Sequence, residues 1–173
     1  SANYVIDGVD PTVSSITMSD TSLIEGETST LTIVFSEAVA AFSNDDVTAA
    51  NGAISTLASS DDITWTATFT PTAETEDATN TIVVGTSYTD TLGNGGGAGT
   101  SANYVIDGVD PTVSSITMSD TSLIEGETST LTIVFSEAVA AFSNDDVTAA
   151  NGAISTLASS DDITWTATFT PTA

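Results

Sequence analysis

The chain has 173 residues, of which 24 are Asp or Glu and none is Lys, Arg, His or Cys. A net charge of -24 argues against nucleic acid and anionic membrane surfaces as partners, because both are polyanions, and it favours cations. Thiol and disulfide chemistry are excluded with Cys, and no stretch approaches the about 18 apolar residues of a membrane span, so membrane insertion is not expected.

The acids also have a plainer use, solubility in salty surroundings, and the two uses coexist. An extracellular chain without disulfides needs another staple, and bound metal is one. No signal peptide is visible at the start. The absence of Lys and Arg also removes every trypsin-type cleavage site.

The organising feature is a repeat. The segment YVIDGVDPTV occurs at Tyr4–Val13 and again at Tyr104–Val113, and the chain from there to Ala173 copies the first unit letter for letter. A period of this size marks a string of whole domains rather than a solenoid of small units.

In chain order, Ser1–Asp7 reads as the last strand of a preceding repeat. Thr12–Met18 is a strand with Ile16 and Met18 on one face. Ser19–Glu27 is a polar loop. Thr28–Phe35 alternates, with Leu31, Ile33 and Phe35 on one face and threonines on the other. Ser36–Asp45 is a crossing loop with Phe42 as a core plug. Asp46–Ala50 and Ala53–Leu57 flank Asn51-Gly52, a hairpin signal, because a type I′ turn needs positive φ at both central residues. Ile63–Thr70 is a strand with Ile63, Trp65, Ala67 and Phe69 inward and four threonines outward. Pro71–Thr79 is an acidic loop, Asn80–Thr86 a strand, Tyr88–Thr100 a Gly-rich flexible loop, and Ser101–Asp107 the final strand.

The fold expected is all-β: an immunoglobulin-like antiparallel β-sandwich of about seven strands in tandem repeats. Residues 8–107 form a complete repeat. Residues 108–173 form a second, identical repeat that lacks the last two strands and is not expected to be stable alone. Either the chain continues past Ala173 or a neighbour donates strands, with Ser1–Asp7 a candidate donor.

Antiparallel strands place the acids at the two ends of the sandwich. The upper end carries Asp10, Glu37, Asp45, Asp61, Asp62, Asp90 and Asn94. The lower end carries Asp20, Glu25, Glu27, Glu74, Glu76, Asp77 and the exit residue Asp107. A junction between repeats would gather Asp107, Asp110, Glu137 and Asp145, facing Glu25, Glu27 and Glu76. Two unit charges 4 Å apart repel by about 4 kcal/mol at an effective dielectric of 20, and the chain has no base to neutralise them. Ca²⁺ takes six to eight oxygens in flexible geometry, Mg²⁺ prefers to keep its water, and zinc favours the His or Cys missing here. Calcium is therefore the expected ion, although no EF-hand loop is present.

Other patterns have plain readings. The outward threonines are good β-formers on a solvent face. Trp65 and Tyr104 could stack on a sugar, but Trp65 shares a face with Phe69 and reads as core. GNGGGAG lacks the Lys and Ser/Thr of a phosphate-binding loop and joins two strands. Paired carboxylates leave glycoside chemistry formally open, yet identical tandem copies argue against an enzyme.

Taken together, DGVDPTVSSITMSD, TLTIVFSEAVAAFSNDDVT, ITWTATFTP, TDTLGN and NYVID resemble the bacterial immunoglobulin-like repeats of giant type I-secreted biofilm adhesins of the RTX kind. The resemblance implies a β-sandwich extender at the bacterial cell surface, outside the cell, with calcium at domain junctions stiffening the array. Its partners would be calcium ions and neighbouring repeats of the same chain, with no obligate protein partner. By position, Asp7, Asp10, Asp107 and Asp110 match the hinge, and Glu37 and Asp90 match the F-S-E and T-D-x-x-G-N motifs. Two other readings remain: a carbohydrate- or surface-binding module acting by avidity, and a self-associating matrix protein.

Overall fold

A computed structural model describes residues 3–172. The chain divides into two compact units, Ser1–Val109 and Asp110–Ala173. Each is a β-structure; the first holds two layers and the second a single sheet.

In the first unit one sheet is built from β1 (Val13–Met18), β3 (Ser29–Phe35), β8 (Thr64–Pro71) and β6 (Gly52–Ile54), in that order, with β7 (Ala58–Ser59) also on β8. The alternation read in the sequence supplies its inner face: Leu31, Ile33, Phe35, Ala67 and Phe69 are buried, while Thr66, Thr68 and Thr70 are exposed. The second layer contains β2 (Ser22–Ile24), β13 (Tyr104–Asp107) and β9 (Glu76–Asn80) in one ladder. It continues through β10 (Ile82–Val84), flanked by β5 (Val47–Ala49) and β12 (Gly99–Thr100), and includes the pair β4 (Val39–Ala40) and β11 (Thr89–Asp90). All pairings are antiparallel except β2 with β13. One core joins Leu31, Ile33 and Phe69 of the first layer to Ile82, Val84, Tyr104 and Ile106 of the second. This two-layer arrangement is the immunoglobulin-like sandwich.

Four expectations are corrected. Asn51-Gly52 does not close a hairpin, because β5 pairs with β10 in one layer and β6 with β8 in the other. Asn51 has φ 51, but Gly52 is needed for space: a Cβ there would meet the Phe69 ring at 2.3 Å. The dipeptide turns a corner between sheets. Glu76–Asn80, expected within a loop and at a strand start, is a strand on β13. The Gly-rich loop lies on the body of the unit: Gly96 N–H donates to the Tyr88 carbonyl at 2.9 Å, Gly97 N–H to Pro11 at 2.9 Å, and Tyr88 is fully buried. A Cβ at Gly96 would strike the Tyr88 ring and one at Gly99 would strike Val13. Finally, Asn3–Asp7 forms no strand, while the same residues at Tyr104–Asp107 do; Ser1 and Ala2 lie outside the described residues. The difference is the partner. β13 has β2 and β9 beside it, and Tyr4, Val5 and Ile6 remain 80 % or more exposed.

The second unit keeps one sheet: β14 (Val113–Met118), β15 (Ser129–Phe135), β17 (Thr164–Pro171) and β16 (Gly152–Ile154), with the registers of the first unit. Its residues 122–124, 139–140 and 147–149 are not strands, although their copies are. Each copy pairs in the first unit with a strand from residues 76–107, for which the second unit has no counterpart. The inner face is correspondingly open: Ile116 is 63 % exposed where Ile16 is 8 %.

Candidate metal centre

Three segments converge at one end of the first unit. The turn after β3 carries Glu37. It is tied to the hinge by Ser36, whose N–H donates to the Thr12 carbonyl at 2.9 Å and whose hydroxyl accepts the Thr12 N–H at 3.0 Å. β4 follows at once and pairs with β11, placing Val39 opposite Asp90. The hinge itself is held by Gly97 on Pro11 and by Asn94, whose Nδ2 donates to the Asp7 carbonyl at 3.2 Å.

The outcome is a cluster of Asp7, Glu37 and Asp90, in which one carboxylate oxygen of each lies within 4.8 Å of the others. Among the described residues it is the one such group of three metal-ligating side chains. Asp7 is exposed, Glu37 half-buried and Asp90 buried.

Asp90 is built into its place. Its Oδ1 accepts the backbone N–H groups of Leu92 (2.8 Å), Gly93 (2.6 Å) and Asn94 (2.8 Å), and its Oδ2 accepts Asn94 Nδ2 at 2.6 Å. The glycine in T-D-x-x-G-N permits this wrap, since Gly93 has φ +97. Burial pushes the Asp90 carboxyl up, but the Asn94 side chain and the N–H groups of Asn94, Leu92 and Gly93 together outweigh it and hold the group below the usual range. Glu37 moves the other way: burial, then the charges of Asp7 and Asp90, push its carboxyl up. The pocket therefore holds one fixed anion and one acid that its neighbours discourage from ionising. A divalent cation would reverse that discouragement. The donor set is all oxygen, to which carbonyls and water add readily, and this fits Ca²⁺.

The other expected residues stand elsewhere. Asp10 is exposed at the hinge and outside the cluster. Asp45 is exposed in a short 3₁₀ turn, Asn44–Asp46, also outside it. Asp61 closes the turn before β8, its Oδ1 accepting Ile63 N–H at 3.0 Å and Thr64 N–H at 2.8 Å. At the opposite end Glu27 accepts the Ile24 N–H at 3.1 Å, Glu25 is exposed, and Asp107 faces Glu76 across the β13–β9 ladder. Asp110, Glu137 and Asp145 belong to the second unit, where Glu137 is half-buried and the other two are exposed.

Sequence reasoning missed two supports. Asp46 is buried, capping Ser43 N–H at 2.8 Å and accepting the Ser87 hydroxyl at 2.6 Å; the Ser43-x-x-Asp46 spacing of a capping box was the available signal. Tyr88 packs against Phe35 and Phe42 at ring separations of 4.9 and 5.6 Å, inside a stretch whose glycines masked it. The sugar-platform reading loses Tyr104, which is fully buried, and Trp65 packs on Phe42 at 5.3 Å.

The family model for the bacterial Ig-like domain matches residues 7–106 and again residues 107–173. No curated protein and no solved structure matches the chain.

Proposed function

The chain belongs to the bacterial Ig-like domain family, and from that premise we propose that it is an extender segment of a bacterial cell-surface adhesin, stiffened by calcium. The observation that carries the reading is the convergence of Asp7, Glu37 and Asp90 in a chain with no basic side chain. Asp7 lies on the segment that enters the domain, while Glu37 and Asp90 belong to its body. An ion bound by all three clamps the entering segment to the domain. Without the ion the carboxylates repel one another, which loosens a segment that hydrogen bonds from Asn94 to the Asp7 carbonyl and from Gly97 to Pro11 still tether.

Tandem copies then give length, and the clamp at each entry gives stiffness. A strand of eight residues spans roughly 27 Å, so repeated sandwiches extend a distal binding domain at little cost in sequence. This role asks for no catalytic group.

Isothermal titration with Ca²⁺, thermal melting and small-angle scattering, each with EDTA and with millimolar calcium, test the reading. Expected are a saturable binding heat, a higher melting temperature and a narrower distribution of conformations with calcium. Melting and scattering curves unchanged by calcium would sink the clamp. Binding to a glycan array that strengthens with copy number would favour a recognition module instead.

A further inference from the structure

Asparagine followed by glycine readily loses its side-chain amide, because a residue without a side chain leaves its nitrogen free to attack the neighbouring amide carbon. The chain holds three such pairs, Asn51-Gly52, Asn94-Gly95 and Asn151-Gly152, and the fold treats them differently. A Cβ at Gly52 or Gly152 would meet the ring of Phe69 or Phe169 at 2.3 Å and a backbone carbonyl at 2.7 Å. Neither glycine has room to shift towards its asparagine. The Asn51 amide is held as well, its Nδ2 donating to Asp77 Oδ2 at 2.8 Å and to Asn80 Oδ1 at 2.7 Å.

Gly95 is exposed, and a Cβ there would meet nothing within 4 Å. Its neighbours carry the hydrogen bonds of the turn: Asp90 N–H donates to the Asn94 carbonyl at 3.0 Å, and Gly96 N–H to the Tyr88 carbonyl at 2.9 Å. In that pairing of Thr89 with Gly95 the Gly95 N–H points away from the partner strand. The amide it would attack is held beside it, with Asn94 Nδ2 donating to Asp90 Oδ2 at 2.6 Å and to the Asp7 carbonyl at 3.2 Å.

We propose that Asn94-Gly95 is a site of spontaneous deamidation, and that the conversion loosens the entering segment from the domain. The Gly95 nitrogen bonds to Asn94 Cγ and gives up its proton. The Cγ–Nδ2 bond breaks, ammonia leaves, and a cyclic imide closes. Water then opens the ring at either carbonyl, leaving aspartate or isoaspartate at position 94. The net change is one water taken up and one ammonia released, with no oxidation or reduction.

The nitrogen that is lost is the donor joining the body of the domain, through Asp90, to the entering segment, through Asp7. In its place stands an acid beside Asp90, in a chain with no basic side chain to neutralise it. The tether becomes a repulsion, and Gly97 on Pro11 is left to hold the hinge. The site acts as a slow, one-way change in how firmly the hinge is held. It rests on the tether and not on a bound ion, so its failure would leave the calcium reading untouched.

Peptide mapping of the full chain, aged in warm, mildly alkaline buffer with EDTA, tests it. Cleavage before aspartate releases residues 90–106, whose sequence occurs once, while the Asn51 and Asn151 peptides share theirs and serve as the reference. Residues 90–106 should convert several-fold faster than the reference, at Asn94. Gly95→Ala, for which the fold has space, should slow that conversion several-fold. Asn94→Asp should lower the melting temperature in EDTA by several degrees and speed hydrogen exchange at Leu92, Gly93 and Gly97. Conversion at Asn94 no faster than in the reference peptide, or unchanged by Gly95→Ala, would overturn the site. An Asn94→Asp chain that melts and exchanges like the wild type would overturn its effect on the hinge.

Discussion

Ile16 and Ile116 occupy the same place in the same sequence, at 8 % and 63 % exposure, so one substitution can be made twice and its cost compared. Replacing a core isoleucine by alanine costs ~2–5 kcal/mol, the sum of lost transfer energy and the cavity left behind. Ile16→Ala should fall in that range, because its side chain sits in a closed core with Leu31, Ile33 and Ile82. Ile116 keeps little more than a third of its surface out of water and lines an open cavity of about 370 Å³. Nothing closes over the space it would leave, so only a fraction of the transfer term is lost, about 0.5–1 kcal/mol. Urea denaturation can separate the units through Trp65 and Trp165, each observed in a variant with the other tryptophan replaced by phenylalanine. The Trp65 transition should shift strongly with Ile16→Ala, and the Trp165 signal only slightly with Ile116→Ala. Equal losses in the two reporters would refute the claim that the missing layer, rather than the sequence, sets the difference.

Glu37→Gln should raise the melting temperature in EDTA, because it removes a charge held against Asp7 and Asp90, and should weaken calcium binding by about tenfold or more; calorimetry in both conditions reads both signs. Asp61, Asp77 and Asp90 have folded-state pKa values below their usual ones, so the stability they contribute is present above the ordinary aspartate range and is lost as pH falls through the lowered values. Glu37 has a raised value and acts oppositely, its contribution improving as pH falls through it; melting against pH should therefore show a smaller acid loss in the wild type than in Glu37→Gln. Tyr104, pushed up to about 12 by burial and then by the charge of Asp77, should titrate late in an alkaline absorbance titration, with stability lost as pH rises past the unfolded tyrosine value near 10. Gly52→Ala should cost ~1–3 kcal/mol in chemical denaturation, since its methyl group meets the Phe69 ring.

The long strands were legible because their signal is local. Alternation in Thr28–Phe35 and Ile63–Thr70 reports a buried face wherever those strands sit, and β15 and β17 form in the second unit as β3 and β8 do in the first. Of the short strands, β5, β6, β10 and β13 fall in or across segments read as strands, while β2, β4, β11 and β12 fall in segments read as loops, and the duplication shows why. Ser22–Ile24 is a strand beside β13, while Ser122–Ile124, with the same letters, is not. Tyr104–Asp107 and Tyr4–Asp7 differ in the same way. For such segments the information lies in a partner far along the chain, as Val105 is from Ser22, so no short window on the sequence contains it. The site divides similarly. Glu37 and Asp90 were readable from F-S-E and T-D-x-x-G-N, and Asp7 from the hinge. That Asp10 and Asp45 stay outside depends on the β4–β11 pairing and on the 3₁₀ turn at Asn44–Asp46, neither of which leaves a periodic trace.

The parallel pairing of β2 with β13 also decides how the domain answers tension. A pull on the ends of the repeat enters near Val13 and leaves at Asp107, loading β13 against both β2 and β9. The three register pairs from Val105–Ser22 to Asp107–Ile24 are then sheared together, where an antiparallel terminal hairpin would be peeled open one bond at a time. Rupture must break the ladder at once, so the domain should hold its length until force crosses a threshold and then yield abruptly. A chain of such domains would give way one domain at a time, dissipating the work of a sudden drag before its ends let go.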